Sequence, residues 1–67
     1  KILRLLSEKP RSPYEIAKIL GLNYSTVRYH LDVMQKFGLV TSVKQGKILY
    51  RITKDGEKLL KGSGHFP

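Results

Sequence analysis

The sequence contains no cysteine, and this absence excludes two kinds of support on which small proteins often depend. Without thiols the chain can form no disulfide, and a soft metal ion lacks the ligands that it prefers. The two histidines, His30 and His65, lie far apart and are poor substitutes for a ligand cluster. We therefore expect no metal ion and no other cofactor, with His30 packed and hydrogen-bonded on a helix and His65 in a flexible tail. The lack of cysteine also agrees with a reducing, cytoplasmic location.

Acidic residues are scarce, and long apolar runs are missing. The five Asp and Glu residues are scattered and form no acid–base pair or nucleophilic triad by their spacing, so we expect no enzyme. Gly46-Lys47 is not a phosphate-binding loop, because the glycine required five residues earlier is Thr41 and no serine or threonine follows. No signal peptide and no apolar run of membrane-spanning length occurs, so we expect no membrane partner.

Basic residues are abundant: 13 Lys and Arg against five Asp and Glu give the chain a net charge of +8. Such a charge favours a polyanionic partner, although part of it serves only to solvate the surface. A chain of 67 residues is one domain with a marginal core. We expect residues 1–61 to form that domain and residues 62–67 a flexible C-terminal tail. The opening helix has apolar residues on more than one side, which suits core packing and leaves a homodimer possible.

Residues 12–21 carry the signals of a short helix followed by a turn. Ser12 is a good N-cap, Pro13 suits the first helical position, and Glu15 completes a capping box. The pattern predicts a helix over residues 13–20. Gly21 then provides the backbone freedom that a sharp helix end requires.

A longer helix is predicted over residues 24–37, with Asn23 as its N-cap and Gly38 as its stop. Apolar residues recur along it at intervals of four and three, which places them on one buried stripe. This stripe consists of Val27, Leu31 and Met34, with His30 and Phe37 at its edge. Two short helices joined by a glycine turn are an arrangement that directs the second helix towards DNA.

The opposite side of the second helix is polar and cationic at its beginning. Because a DNA major groove admits one α-helix and arginine pairs with guanine, Arg28 is the best candidate for reading a base. The other candidate contacts to bases or adjacent phosphates are Tyr24, Ser25 and Tyr29. Candidate contacts to the DNA backbone are Asn23, Thr26, Lys36 and Arg11.

The second half of the chain predicts a β-hairpin. Residues 39–43 and 48–52 are rich in Val, Ile, Thr and Tyr, as strands are. Between them, Lys44, Gln45, Gly46 and Lys47 form a cationic tip that can reach a phosphate or the minor groove. The fold class is therefore mainly α with a small β-hairpin, an α+β winged helix-turn-helix.

A last short helix is predicted over residues 54–61, after the hairpin. Thr53 is a plausible N-cap, and Leu59 and Leu60 provide an apolar anchor. Gly56 weakens this helix, because glycine is a poor helix former.

These segments occur in the order found in the winged helix-turn-helix transcription regulators, and the chain resembles the arsenic-repressor-like (ArsR-like) group and its archaeal relatives. The resemblance covers nearly the whole chain. It implies that residues 24–37 are the recognition helix, that residues 44–47 are the wing tip, and that the protein is a repressor. The matching pieces are residues 20–27, 29–31, 37–40 and 50–53, followed by Gly56, Leu59 and Leu60.

One departure from the resemblance concerns metals. Metal sensors of the group carry cysteines in the helix before the recognition helix, at positions that here hold residues 11–14. Since this chain has none, we expect no metal sensing through this segment.

Three functions are compatible with these residues. Sequence-specific binding of double-stranded DNA by a nucleoid-associated regulator is favoured, because the exposed helix face is polar and cationic. A winged helix that binds another protein is an alternative, and such a module would expose apolar side chains there. A non-specific architectural DNA binder is the third possibility, for which charge matters and Arg28 does not.

Overall fold

A computed structural model describes residues 1–62 and contains four helices and a two-stranded antiparallel hairpin. The predicted fold class is confirmed, since the order is helix, helix-turn-helix, hairpin, helix. The predicted tail and His65 lie outside the described residues, except that Gly62 ends the last helix. The elements are α1 (Ile2–Glu8), α2 (Pro13–Leu20), α3 (Tyr24–Lys36), β1 (Val40–Gln45), β2 (Lys47–Ile52) and α4 (Lys54–Gly62).

Helix α2 begins and ends as its sequence predicts. The Ser12 hydroxyl accepts a hydrogen bond from the amide of Glu15 at 3.1 Å, and the Glu15 carboxylate accepts one from the amide of Ser12 at 3.3 Å. This capping box satisfies two backbone donors at the start of the helix. Gly21 ends α2 with φ of 68°, a left-handed conformation in which its amide bonds to the carbonyl of Ala17. The turn that follows sets the direction of α3.

Helix α3 has the predicted core side but differs at its first and last turns. Val27 and Leu31 are fully buried, whereas the helix ends at Lys36, one residue earlier than predicted. Asn23 holds the N-cap position without capping a backbone amide. Its side-chain oxygen instead accepts a hydrogen bond from the Thr26 hydroxyl at 2.8 Å. The backbone amides at the start of α3 are therefore left for other acceptors.

The buried stripe of α3 is narrower than predicted. Phe37 is 73% exposed because the helix ends before it and Gly38 turns the chain with φ of 75°. His30 is also exposed, and its ring meets that of Tyr29 edge-on with 5.7 Å between centroids. His30 comes one position before the buried Leu31, and one position along a helix rotates a side chain by about 100°, here towards solvent. The prediction of a packed, hydrogen-bonded His30 is therefore wrong.

The hairpin is longer and tighter than predicted. Strand pairing runs from Val40 opposite Ile52 to Gln45 opposite Lys47, so only Gly46 lies between the strands. Leu39 falls outside β1, whereas Lys44 lies within it. The prediction of a four-residue tip is wrong, because Gly46 has φ of 75° and the chain reverses at this single residue.

A backbone contact that the sequence did not indicate joins the hairpin to the helix-turn-helix. The amide of Arg11 donates to the carbonyl of Tyr50 at 3.0 Å, and the amide of Tyr50 donates to the carbonyl of Arg11 at 2.8 Å. The segment between α1 and α2 therefore pairs with β2 like a short third strand. This pairing places β2 beside the start of α2.

Thr53 caps α4, as predicted, and also ties this helix to the turn after α3. Its hydroxyl accepts a hydrogen bond from the amide of Gly56 at 3.1 Å and donates one to the carbonyl of Gly38 at 2.6 Å. Its own amide donates to the carbonyl of Leu39 at 3.0 Å. One residue thus connects three parts of the fold.

The packing of α4 gives Gly56 a role that its low helix propensity did not indicate, and it corrects the expectation about the apolar anchor. Gly56 is buried, and a Cβ atom there would collide with the carbonyl oxygen of Leu39 and lie 2.7 Å from Ile52 Cγ1. Its missing side chain therefore permits the close approach that positions α4. Leu59 is 46% exposed and Leu60 is half-buried, so only the second of the two predicted anchors is substantially covered.

The core lies between the helices and one face of the hairpin. Helix α1 contributes Ile2 and Leu6, and its Leu3 and Leu5 pack at the margin, so the predicted use of this helix in the core is confirmed. No described helix combines the length and the apolar character needed to cross a membrane. The remaining core residues are Ile16, Val27, Leu31, Val40 and Tyr50.

Candidate nucleic-acid interface

The beginning of α3 presents the four predicted base-contacting residues, all of which reach the surface. They fall within the first two turns because the helix starts at Tyr24. Tyr29 is 66% exposed and Tyr24 is 37% exposed, whereas the Arg28 side chain is 38% exposed. Ser25 is exposed between them. These two turns therefore present one cation, two phenols and one hydroxyl at the surface.

Arg28 is held by neighbours one helical turn away on either side. Its Nη1 donates a hydrogen bond to the Tyr24 hydroxyl at 3.1 Å, and its Nη2 lies 3.7 Å from an Asp32 carboxylate oxygen. Its Nε is shielded from solvent and has no hydrogen-bond partner in the part of the chain that the structure describes. The bond to Tyr24 is the main cause that raises the pKa of Arg28, and the electrostatic influence of Tyr50 adds to it. Arg28 therefore carries a full positive charge at any ordinary pH.

Tyr14, on α2, belongs to the same surface, although it is not among the residues predicted to contact DNA. Its ring stacks on that of Tyr24 with centroids 4.5 Å apart and planes inclined by 24°. Its side chain is 70% exposed, so the outer part of the stacked pair faces solvent. The position of Tyr14 in the first turn of α2 could have marked it as a candidate contact residue. Its stacking on Tyr24, however, depends on the angle between α2 and α3, which the sequence does not show.

A cleft lies between the start of α3 and the hairpin. It has a volume of about 250 Å³ and is lined by Tyr14, Tyr24 and Arg28 on one side and by Lys47 and Ile48 of β2 on the other. Two cations from separate elements therefore share one opening. The backbone pairing of Arg11 with Tyr50 brings β2 to this place.

Tyr29 lies on the other flank of α3, away from the wing. There it lines an apolar groove of about 500 Å³ with His30, Leu22 and Met34. Of the four predicted base-contacting residues, Tyr24 and Arg28 therefore lie on the side of α3 that faces the wing, and Tyr29 lies on the side that faces this apolar groove of the protein. Ser25 precedes both Arg28 and Tyr29 near the start of the helix.

The predicted backbone contacts are distributed less uniformly. Asn23 and Thr26 are exposed at the start of α3 and bonded to one another. Lys36, in the last turn of α3, lies about 12 Å along the axis from Arg28 at 1.5 Å per residue. At the wing, Lys44, Gln45 and Lys47 are all exposed.

Arg11 is not brought to this surface as a free cation. Its side chain is 12% exposed and lies 2.8 Å from the Glu8 carboxylate and 3.7 Å from that of Glu15. Its Nε also donates to the carbonyl of Leu5 at 3.3 Å. These contacts join α1 to α2, so the guanidinium is engaged within the fold.

A metal ion in a protein needs several ligands close together. Among residues 1–62, no three His, Cys, Asp or Glu side chains come together in a way that could hold one. The sequence-based expectation of no metal sensing stays a prediction.

A helix-turn-helix with an exposed cationic second helix, followed by a cationic hairpin beside it, defines a winged-helix DNA-binding domain. The chain belongs to the family described as bacterial regulatory protein, arsR family, whose model matches residues 1–42. This match covers α1, α2, α3 and the start of β1, and it confirms the ArsR-like resemblance. A comparison with curated proteins found no match. The protein is thus a DNA-binding transcription regulator by family.

Proposed function

We propose that the protein is a sequence-specific repressor that binds double-stranded DNA, with α3 in the major groove and the wing on the flanking backbone or in the minor groove. The observation that carries this proposal is the cleft that Arg28 of α3 shares with Lys47 of β2. Specific recognition of DNA needs contacts to base edges, which read the sequence, and contacts to phosphates, which position the protein. Arg28 would supply the first kind of contact and Lys47 the second. The proposal includes no catalytic step.

Arg28 is the principal base contact in this proposal. Its bond to Tyr24 occupies one of its five N–H donors and leaves others for the two acceptors of a guanine edge. Tyr24, Ser25 and Tyr29 would contact neighbouring base edges or phosphates. Tyr29 lies on the side of α3 that faces the apolar groove of the protein, so it would contact a different part of the DNA site from Arg28.

Contacts to the DNA backbone come from the ends of α3 and from the wing. Asn23 and Thr26 would exchange their mutual hydrogen bond for a phosphate, at a helix start whose amides also favour an anion. Lys44 and Lys47, with Gln45, would hold the strand that the wing crosses. Lys36 would contribute at the far end of α3, and Arg11 is left out because its guanidinium is engaged with Glu8 and Glu15.

Several further properties follow from this proposal. A homodimer would require two half-sites about one helical turn, or roughly 34 Å, apart. A protein that acts on chromosomal DNA works in the cytoplasm, at the nucleoid. Release of the DNA would not use a cysteine-ligated metal ion, since the chain has no cysteine.

The test is selection of bound duplexes from a random DNA pool at moderate salt, performed with the wild type, Arg28→Ala and Lys58→Ala. Lys58 is an exposed cation on α4, so its variant is matched for the loss of one charge. We expect an enriched motif with the wild type and with Lys58→Ala, and a motif degraded at one base pair with Arg28→Ala.

Each other outcome contradicts the proposal in a recognisable way. Binding of all sequences without a motif would identify an architectural DNA binder. The absence of binding would favour a module that docks on another protein. Equal weakening on every sequence after Arg28→Ala would remove the base-reading role from this residue.

A further inference from the structure

We infer that Tyr24, braced by Tyr14 from the neighbouring helix, is a positioning residue that sets the direction of the Arg28 guanidinium for its contact with DNA. This inference rests on the proposed function, in which Arg28 contacts a base edge. It gives Tyr24 a second role and adds Tyr14, on α2, to the determinants of specificity.

The need for such positioning follows from the chemistry of arginine. Its guanidinium is a planar fork, and two parallel hydrogen bonds to a guanine form only when that plane is aligned with the base edge. A long exposed side chain without supports samples many rotamers, and ordering them opposes binding. A support that is already present before DNA arrives removes this cost and also restricts which base the fork can meet.

The structure provides supports on both sides of the fork. Tyr24 lies four residues before Arg28 and accepts from Nη1 at 3.1 Å, while Asp32 lies four residues after it and is 3.7 Å from Nη2. Residues four apart are neighbours on a helix surface, so the three side chains form a line along α3. The fork is therefore held between a neutral acceptor and an anion.

Tyr24 can act as a support only if its own ring is fixed, and Tyr14 supplies that restraint. The two rings are stacked at 4.5 Å with an inclination of 24°, which lets one face of Tyr24 rest on a residue of another helix. Stacked aromatic pairs of this geometry contribute beyond the area that they bury. The orientation of Arg28 thus depends on the packing of α2 against α3.

The shielded Nε of Arg28 gives this arrangement a spectroscopic signature. An N–H group that is out of contact with solvent exchanges its proton slowly, whereas a freely rotating guanidinium does not keep it shielded. In the structure, Nε is buried although the side chain as a whole is 38% exposed. Exchange of the Nε proton, followed by NMR on the protein without DNA, therefore reports on the position of the fork independently of any binding assay.

Three variants separate positioning from a general effect on the fold. Tyr24→Phe keeps the ring and its stacking on Tyr14 but removes the hydroxyl that accepts from Arg28. Tyr14→Ala removes the ring that stacks on Tyr24. Tyr14→Phe keeps this ring and loses only the hydroxyl of Tyr14, so it is the matched control for Tyr14→Ala. Thermal melting of each variant identifies any loss of folded protein before the other measurements.

We expect the Nε proton of Arg28 to exchange about tenfold or more faster in Tyr24→Phe and Tyr14→Ala than in the wild type, and at the wild-type rate in Tyr14→Phe. We also expect Tyr24→Phe to reduce discrimination at the base pair read by Arg28 by about tenfold, and to weaken binding to unrelated DNA by a smaller factor. In an Arg28→Ala background, Tyr24→Phe should affect discrimination less than it does in the wild type, because only a direct contact of Tyr24 with DNA would remain.

Two results would overturn the inference: unchanged exchange of the Nε proton in folded Tyr24→Phe, or additive effects of Tyr24→Phe and Arg28→Ala on discrimination. The failure of the proposed function is distinguishable from both. If the wild type selects no motif, base reading is excluded, and the exchange rates in the DNA-free protein still decide whether Tyr24 and Tyr14 hold the fork.

Discussion

Arg11 and Arg28 are used differently from the lysines of the wing. Within residues 1–62, the ion pairs join Arg11 to Glu8 and Glu15 and join Arg28 to Asp32. The lysines of the wing are exposed and are not involved in these pairs. A compact ammonium on a flexible stem suits a phosphate, whereas the fixed fork of arginine suits a directional contact.

Replacement of Lys47 with Ala should weaken binding to all DNA sequences by a similar factor, because a contact to phosphate carries no sequence information.

Replacement of Arg28 with Ala should reduce the binding free energy for DNA by about 1–3 kcal/mol, mainly on the preferred site. Titration of each variant with the selected duplex and with a scrambled duplex measures both effects. A change of preferred sequence caused by Lys47→Ala would contradict the assignment of this residue to the backbone.

Replacement of Arg11 with Met should destabilise the fold by about 1–2 kcal/mol, because it removes hydrogen bonds of a largely buried guanidinium while retaining an apolar stem. At a temperature where the variant is folded, its affinity for DNA should match that of the wild type. Lys9→Met, in the same linker but exposed, is the control and should change stability little. A loss of affinity without a loss of stability would return Arg11 to the DNA interface. Urea denaturation and DNA titration provide the two measurements.

At the scale of the elements, short-range signals give the correct helices and strands but not their contacts. The capping box of α2 and the glycine after it depend on residues a few positions apart, and the structure has both as predicted. The length of the hairpin was misjudged because Gly46 can serve a one-residue or a longer turn, and pairing between strands decides which. Likewise, the exposure of Phe37 depends on where α3 ends and on what packs nearby.

Gly56 allows a test in which helix propensity and packing predict opposite signs. By propensity, Gly56→Ala should stabilise α4 by up to about 1 kcal/mol. Because a Cβ atom would collide with the Leu39 carbonyl, we expect the variant to be less stable than the wild type by about 1–3 kcal/mol. Urea denaturation decides the sign, and Lys58→Ala, at an exposed position of the same helix, is the control. A stabilised Gly56→Ala variant would show that α4 does not pack closely on Leu39.

At the scale of the whole molecule, charge and shape act together. The net charge of +8 attracts any polyanion, but the fold decides which cations can touch DNA at once. Arg28 and Lys47 lie on different elements, separated in the sequence by the whole of β1, and both line one cleft. The exposed surface of α3 and the wing therefore form one continuous candidate interface.

Affinity for DNA should fall steeply with salt. If about four to six cations neutralise phosphates, a plot of the logarithm of the association constant against the logarithm of the salt concentration should have a slope of about −4 to −5. Lys47→Ala should make this slope less steep by about one unit, whereas Lys58→Ala on α4 should leave it unchanged. Fluorescence anisotropy over a series of salt concentrations gives the slopes. Equal changes for both variants would mean that the protein has no preferred face towards DNA.

The sequence by itself determined the helix-turn-helix, the wing and the cationic character of α3, because caps, glycine turns and apolar periodicity act between residues that are close along the chain. Only the tertiary structure decided which side chains are available. It engaged Arg11 with two carboxylates, left His30 and Phe37 exposed, and stacked Tyr14 on Tyr24. These outcomes depend on the angles between helices and on pairing across the hairpin. The stacking of Tyr14 on Tyr24 joins residues on two different helices. The carboxylates that engage Arg11 are only three and four residues away, but they lie on α1 and α2, and no local pattern encodes how these two helices meet.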